Sequence, residues 1–281
     1  MPLWVYFELV ACVCAVSTAA VVFRSMEDVP PLLLSSWRLQ LNALLLVPPL
    51  VREWRGLSSD VKAQCVRALP LTLTSGACLA VHFGSWVTSI KLTSLPHSLL
   101  FVSTTPLFLV AWTLLRCQHI STGEVVGSVC GFAGSVVLTV DYDQHSGVTL
   151  IGDLTAMCGA LAMAAYMLIG SKLRSWMPLF VYAFPVNFTA AVYLSVASLL
   201  VEGTSLADIG SNAVFGYVGV PTLLLKVRPH NQKKYTLLCL CDSQAWIFLF
   251  LLLPTPAQVC YLAVGPGIVG HLVRSPCYAY T

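Results

Sequence analysis

VHFGSWVTSIKLTSLPHSLLFVSTTPLFLVAWTLL, residues Val81–Leu115, decides the fold. The stretch is apolar almost throughout, yet it carries Ser, Thr and His residues, Lys91, Pro96 and Pro106. It is far too long for a core strand and too long for one membrane span of ~20 residues. Two membrane helices joined by a tight turn near Lys91–Ser94 account for it, the second broken or bent at Pro106. Polar groups and helix breaks at membrane depth are costly unless they face protein or a water-filled cavity. The hairpin therefore reads as the wall of a path for something polar.

Composition agrees. Of 281 residues, 57% are hydrophobic and only 10% charged, and the mean hydropathy is +0.81. A soluble domain carries about 25% charged residues. The expected fold class is all-α, a polytopic membrane helix bundle with room for about eight to ten spans. The net charge of +3 is spread over short loops rather than one stripe, so no nucleic-acid partner is expected. The basic loops are read as topology signals and contacts with membrane lipids. Most of the 11 cysteines, such as Cys12, Cys14, Cys78, Cys130 and Cys158, sit in apolar runs as small hydrophobes. Their spacings make no zinc site, and neither a metal nor a cofactor is expected. No Walker motif, nucleophile elbow or HExxH pattern occurs, so nothing argues for an enzyme.

Outward from the hairpin, the expected spans are Leu3–Phe23, Leu32–Val51, Ala68–Ile90, Leu95–Leu115, Thr122–Val140, Leu150–Ile169 and Met177–Val201. Arg52–Arg67 reads as a polar loop. The first span lacks the basic start of a signal peptide and carries Glu8, so it is kept as a helix. Loops after spans two, four and six hold Arg52, Arg55, Lys62, Arg67, Arg116, Lys172 and Arg174; the alternate loops hold Arg24 and Lys91. Seven against two places the N-terminus in the cytoplasm. On span five, Gly123, Gly127, Gly131 and Ser135 form one small-residue face for helix packing, with a helix of this chain or of a second copy, a homodimer.

An internal repeat is expected. Glu8, Leu9, Ala11, Ala15 and Ala19-Ala20 align with Asp153, Leu154, Ala156, Ala160 and Ala164-Ala165. A small change of offset pairs Pro31-Leu32 with Pro178-Leu179 and Gln40 with Asn187. Five spans separate the copies, and an odd number inverts the second in the membrane, as in many secondary transporters.

Three segments carry a family resemblance. LLLSSWRLQLNALLLVPPL (Leu32–Leu50), IKLTSLPHSLLFVSTTPLFLVAWTLL (Ile90–Leu115) and GEVVGSVCGFAGSVVLTV (Gly123–Val140) resemble, in order, helix two, the helix three-to-four turn with helix four, and helix five of EamA-type members of the drug/metabolite transporter superfamily. The resemblance implies ten helices in two inverted five-helix repeats and alternating access for small metabolites without ATP hydrolysis. It departs after helix four, where an acid is usual and Arg116–His119 stand here. YLAVGPGIVGH (Tyr261–His271) is similar to helix eight, with His271 matching His82, and the two helices that would follow are missing. The domain expectation is thus a first repeat over residues 1–145, the start of a second over 146–219, an insert-like segment over 220–256 and a remnant over 257–281.

Candidate residues for binding a small-molecule solute follow. Glu8 and Asp153 are paired acids that could relay a proton or hold a cation. Arg38 could meet an anionic group, or serve structurally. His82 and Trp86 lie one helical turn apart on the face of Ser89. Ser98, Thr104 and Thr105 flank Pro106, as solute ligands or bonded back to their own helix. Tyr166, Tyr182 and Asn187 would line the same cavity, and Lys91 reads as a snorkelling residue. The expected function is a secondary transporter of a small polar metabolite, impaired if the missing helices are needed. The rivals are a non-transporting membrane protein or helical interaction partner, and a lipid-acting intramembrane enzyme built on His82 and His271.

Overall fold

The computed structural model describes residues 20, 23, 24, 26, 28–140 and 148–210. Glu8, the 220–256 segment, Tyr261–His271 and the remnant over 257–281 lie outside the described residues. The described residues form an all-helical membrane bundle with no strand among them. The elements are α1 (Pro31–Gly56), α2 (Ser59–Arg67), α3 (Leu69–Leu92), α4 (Leu95–Val102), α5 (Thr105–Leu115), α6 (Thr122–Val140), α7 (Leu150–Arg174), α8 (Leu179–Ala197) with a π-helical turn Ser198–Glu202, and α9 (Leu206–Gly210).

Proline sets many of the starts. Pro31, Pro70, Pro96 and Pro106 each sit at the first or second position of a helix, and Pro178 is the N-cap of α8. There the missing N–H has no intrahelical role to lose. The broken span follows from this. Its break lies at Ser103-Thr104, just upstream of Pro106, and α5 restarts with Pro106 in its first turn. Three consecutive hydroxyls bond back to carbonyls of α4 at the break. Ser103 donates to Leu100 O (2.6 Å), Thr104 to Phe101 O (2.6 Å) and Thr105 to Val102 O (2.8 Å). Val102 O is the acceptor that an N–H at Pro106 would have used.

Leu95–Leu115, Leu150–Arg174 and Leu179–Glu202 are long and apolar enough to cross a membrane, as is α3 taken with α2, which bends by 53° against it. The expected polar loop Arg52–Arg67 is instead helical: α1 runs on to Gly56, and Ser58 caps α2 by accepting from Val61 N–H. The segment is polar, but Ser58 and the acidic Asp60 give it a helix-start chemistry that outweighs a loop reading.

Two antiparallel pairs carry the core. In the α1–α8 pair, Glu202 accepts from the N–H groups of Leu32 (2.7 Å) and Leu33 (3.0 Å), and Glu53 accepts from those of Phe180 (2.8 Å) and Val181 (3.2 Å). Each helix thus ends in an acid that caps the start of the other. The π-helical turn that carries Glu202 is closed by Gly203 at φ 65°, a left-handed position suited to glycine.

The α3–α7 pair is closer. A Cβ on Gly152 would stand 2.5 Å from Thr93 Cβ, and one on Gly159 3.0 Å from Ser85 Oγ and 3.3 Å from His82 O. With Ala156, Ala160 and Ala164, all buried, these glycines form a small face that lets two backbones approach. On α6, by contrast, a Cβ on Gly127 or Gly131 meets nothing described within 4 Å, and one on Gly123 meets only Ser121 of its own turn. Ser135 donates back to Gly131 O. The face expected to pack is thus open among the described residues.

Lys91 is not a snorkelling residue. Its ammonium donates to the carbonyls of Met26 and Val29, while Arg24 donates to those of Ile90 and Thr93. Two cations thereby tie the segment before α1 to the C-terminal end of α3, where exposed carbonyls favour positive charge.

Candidate functional site

Polar groups are layered along the α3 axis. At the end that also carries Arg52, Arg55, Lys172 and Arg174, the Tyr182 hydroxyl bonds Ser75 Oγ at 2.7 Å and the Tyr166 hydroxyl. Arg174 stands close enough to interact electrostatically with both rings' hydroxyls. Gly170 leaves the room this requires, since a Cβ there would lie 2.8 Å from Tyr182 Oη.

At mid-helix, three of the expected residues converge. His82 stacks on Trp86 with ring centroids 6.1 Å apart and planes 10° from parallel, and its Nδ1 bonds Gly159 O at 2.9 Å. The Arg38 guanidinium lies between two rings, 5.3 Å from the Phe23 centroid and 5.0 Å from that of Phe83. Phe83 in turn meets the His82 ring edge-on at 5.0 Å. A guanidinium between aromatic faces is held by cation–π attraction in place of water. Trp86 is buried, and its indole N–H has no hydrogen-bond partner among the described residues. An orphaned buried donor is rare enough to ask for an explanation.

At the opposite end, Asp153 accepts from Thr93 Oγ1 at 2.9 Å and meets His97 Nδ1 at 3.3 Å. This links the α3–α4 turn to the first turn of α7. The acid sits where the helix start favours negative charge.

The other expected residues are engaged within the protein. Ser98 bonds Ser89 Oγ at 2.6 Å across the hairpin. Thr104 and Thr105 bond back to α4, and Thr105 also reaches Ala160 O at 3.4 Å. Asn187 donates to Ala183 O on its own helix at 2.8 Å. Sequence reasoning named Gln40 only as the repeat mate of Asn187 and passed over Ser36 and Ser195; the three form one network between α1 and α8, in which Ser36 Oγ lies 2.6 Å from Ser195 Oγ and Gln40 donates to both. It also passed over Phe23 and Phe83. A buried Arg with aromatics one helix away is the signal that could have found them.

Residues 2–140 match the model of the EamA-like transporter family. Residues 2–140 belong to that family. The match spans α1 to α6 and includes Arg38, His82, Trp86 and the Pro106 break. Members of the EamA-like family are membrane transporters rather than enzymes, and the chain is accordingly an integral membrane protein. No curated protein matches it. One solved crystal structure, described only as that of a protein, is similar over 99% of this chain and 98% of its own, at 19% identity and a TM-score of 0.56. That is a likeness of fold.

Proposed function

We propose that this chain is a secondary transporter that moves a small polar metabolite by alternating access. The observation that carries the reading is the α1–α8 pair. Two proline-started helices run antiparallel, and each ends in a glutamate that caps the other. One helix and its inverted copy would make this arrangement, and inverted repeats build two-sided access in many secondary transporters. On this reading α1 belongs to a first repeat over 1–145, and α7 and α8 to a second that begins at 146.

The substrate contacts are assigned to the mid-helix cluster. Arg38 supplies a positive charge in an aromatic setting, Trp86 a face and an unused donor, and His82 a second face. This favours a small metabolite with an anionic group or a planar ring. Asp153, with Glu8 as its mate in the repeat, is the candidate for proton coupling.

The test is uptake by the purified chain in proteoliposomes, across a panel of anionic, neutral and cationic radiolabelled metabolites. Saturable uptake is expected for at least one anionic or planar solute, with KM raised about tenfold or more by Trp86→Phe as a donor is lost. A folded, helical chain that moves none of them overturns the proposal in favour of a non-transporting membrane partner.

A further inference from the structure

A second site lies at the basic end of the bundle, away from the mid-helix cluster. A cavity of about 380 Å³ opens between the end of α1, the bent helix α2, the start of α3 and the start of α8. That volume falls in the range of small-ligand pockets. Its walls are apolar: Leu50, Val51 and Trp54 from α1, with Met177, Val181 and Phe184 opposite. Trp54 and Val51 are partly open to the surroundings, so the cavity is a groove in the side of the bundle rather than a sealed void.

Its rim is charged, and with one sign. Arg55 lines the cavity itself, and Lys62 holds its ammonium over the Trp54 ring, 5.9 Å from the centroid. Arg52 and Arg67 are exposed on the same two helices. The acids nearby are Glu53 and Asp60. Glu53 is committed to the N–H groups of Phe180 and Val181, and Asp60 sits in the first turn of α2, where the helix start compensates it. Arg55 reaches the groove from α1, and α2, bent by 53° against α3, brings Lys62 to the Trp54 ring.

We infer that this groove is a binding site for one anionic phospholipid. Its acyl chain lies along Val51, Trp54, Val181 and Phe184, and its phosphate meets Arg55 and Lys62. The charge asymmetry of the loops puts this end on the cytoplasmic side, where the leaflet is anionic. Apolar walls alone would accept any lipid; the two cations select for the headgroup. Each basic residue within reach of an anionic surface favours it about fivefold.

Trp54 is the built-in reporter. The full chain is reconstituted into phosphatidylcholine vesicles containing a small fraction of dibrominated phosphatidylglycerol or dibrominated phosphatidylcholine, whose bromines quench tryptophan on contact. The Trp54 component is the difference between the native chain and Trp54→Phe. The expected result is several-fold stronger quenching of that component by the brominated phosphatidylglycerol. The preference should fall to the phosphatidylcholine level in the double variant Arg55→Gln/Lys62→Gln and persist in high salt. Equal quenching by the two lipids overturns the site as ordinary boundary lipid. A preference erased by high salt overturns it as diffuse surface attraction, and absence of quenching by either shows that the groove holds no lipid. Far-UV circular dichroism of each variant confirms that the changes leave the helices intact.

Discussion

Glu53 and Glu202 stand at opposite ends of one antiparallel helix pair, and each caps the helix on which the other's partners do not lie: Glu53 takes the N–H groups of Phe180 and Val181, Glu202 those of Leu32 and Leu33. Both helices start at proline, so neither start has a hydroxyl cap of its own. A carboxylate borrowed from the neighbour fills that role and also answers the positive end of the helix dipole. Glu53→Ala and Glu202→Ala are each expected to cost about 1–2 kcal/mol. With the sites more than about 30 Å apart along the pair, the double variant should be additive within ~0.5 kcal/mol. SDS titration of the four proteins, followed by circular dichroism, measures this.

The glycines of α7 and α6 give opposite expectations for one chemical change. Gly152→Ala drives a methyl against Thr93, whose Cβ would be 2.5 Å away and whose backbone N 2.8 Å. Backbone cannot give way as a flexible side chain can, so a loss of about 1–3 kcal/mol is expected. Gly127→Ala enters open space among the described residues and should gain a few tenths of a kcal/mol from helix propensity, up to ~1. Thermal melts in detergent distinguish the two. A destabilising Gly127→Ala would mean that another helix covers that face.

Arg38 is expected to depend on the rings around it rather than on its charge alone. Arg38→Lys keeps the cation but loses the flat face that lies between Phe23 and Phe83. A double-mutant cycle of Arg38→Lys with Phe83→Leu should give a coupling of about 0.5–2 kcal/mol. A coupling near zero would show that the guanidinium is held by something else.

Much of this architecture was legible in the sequence, for identifiable reasons. Apolar runs of membrane length marked the helices that begin near Leu32, Leu95 and Met177. The Thr122–Val140 helix was readable from its apolar run, and the break from Pro106, which sits in the first turn of the restarted helix. Less legible was anything decided by pairing across helices. Ser36, Gln40 and Ser195 look like ordinary helix residues until α1 and α8 are side by side. The four-residue spacing of Gly123, Gly127 and Gly131 is regular and drew the packing expectation, whereas the close approach is made by Gly152 and Gly159, spaced by two turns and padded with alanine. Periodicity reports that a face is small; only the partner decides whether it is used. Asp153 was readable as a helix-start acid, but its bond to Thr93 and contact with His97 depend on the fold.

Thr105 offers the sharpest test of how a helix break is tolerated in this hairpin. Its hydroxyl donates to Val102 O, the carbonyl left without an amide partner because position 106 is proline. Thr105→Val keeps shape and branching, so the change isolates the hydrogen bond. The carbonyl then stays unsatisfied in a buried place, at a cost of about 1–3 kcal/mol. Thr74 makes the same kind of bond, to Pro70 O at 2.9 Å, but within an unbroken helix. That carbonyl keeps its backbone amide, and Thr74→Val should shift stability by no more than ~0.5 kcal/mol. Restoring the amide completes the argument. Pro106→Ala in the Thr105→Val background returns an N–H to Val102 O and should recover most of the loss, whereas a failure to recover would show that Ala160 O, 3.4 Å from the same hydroxyl, is the bond that matters.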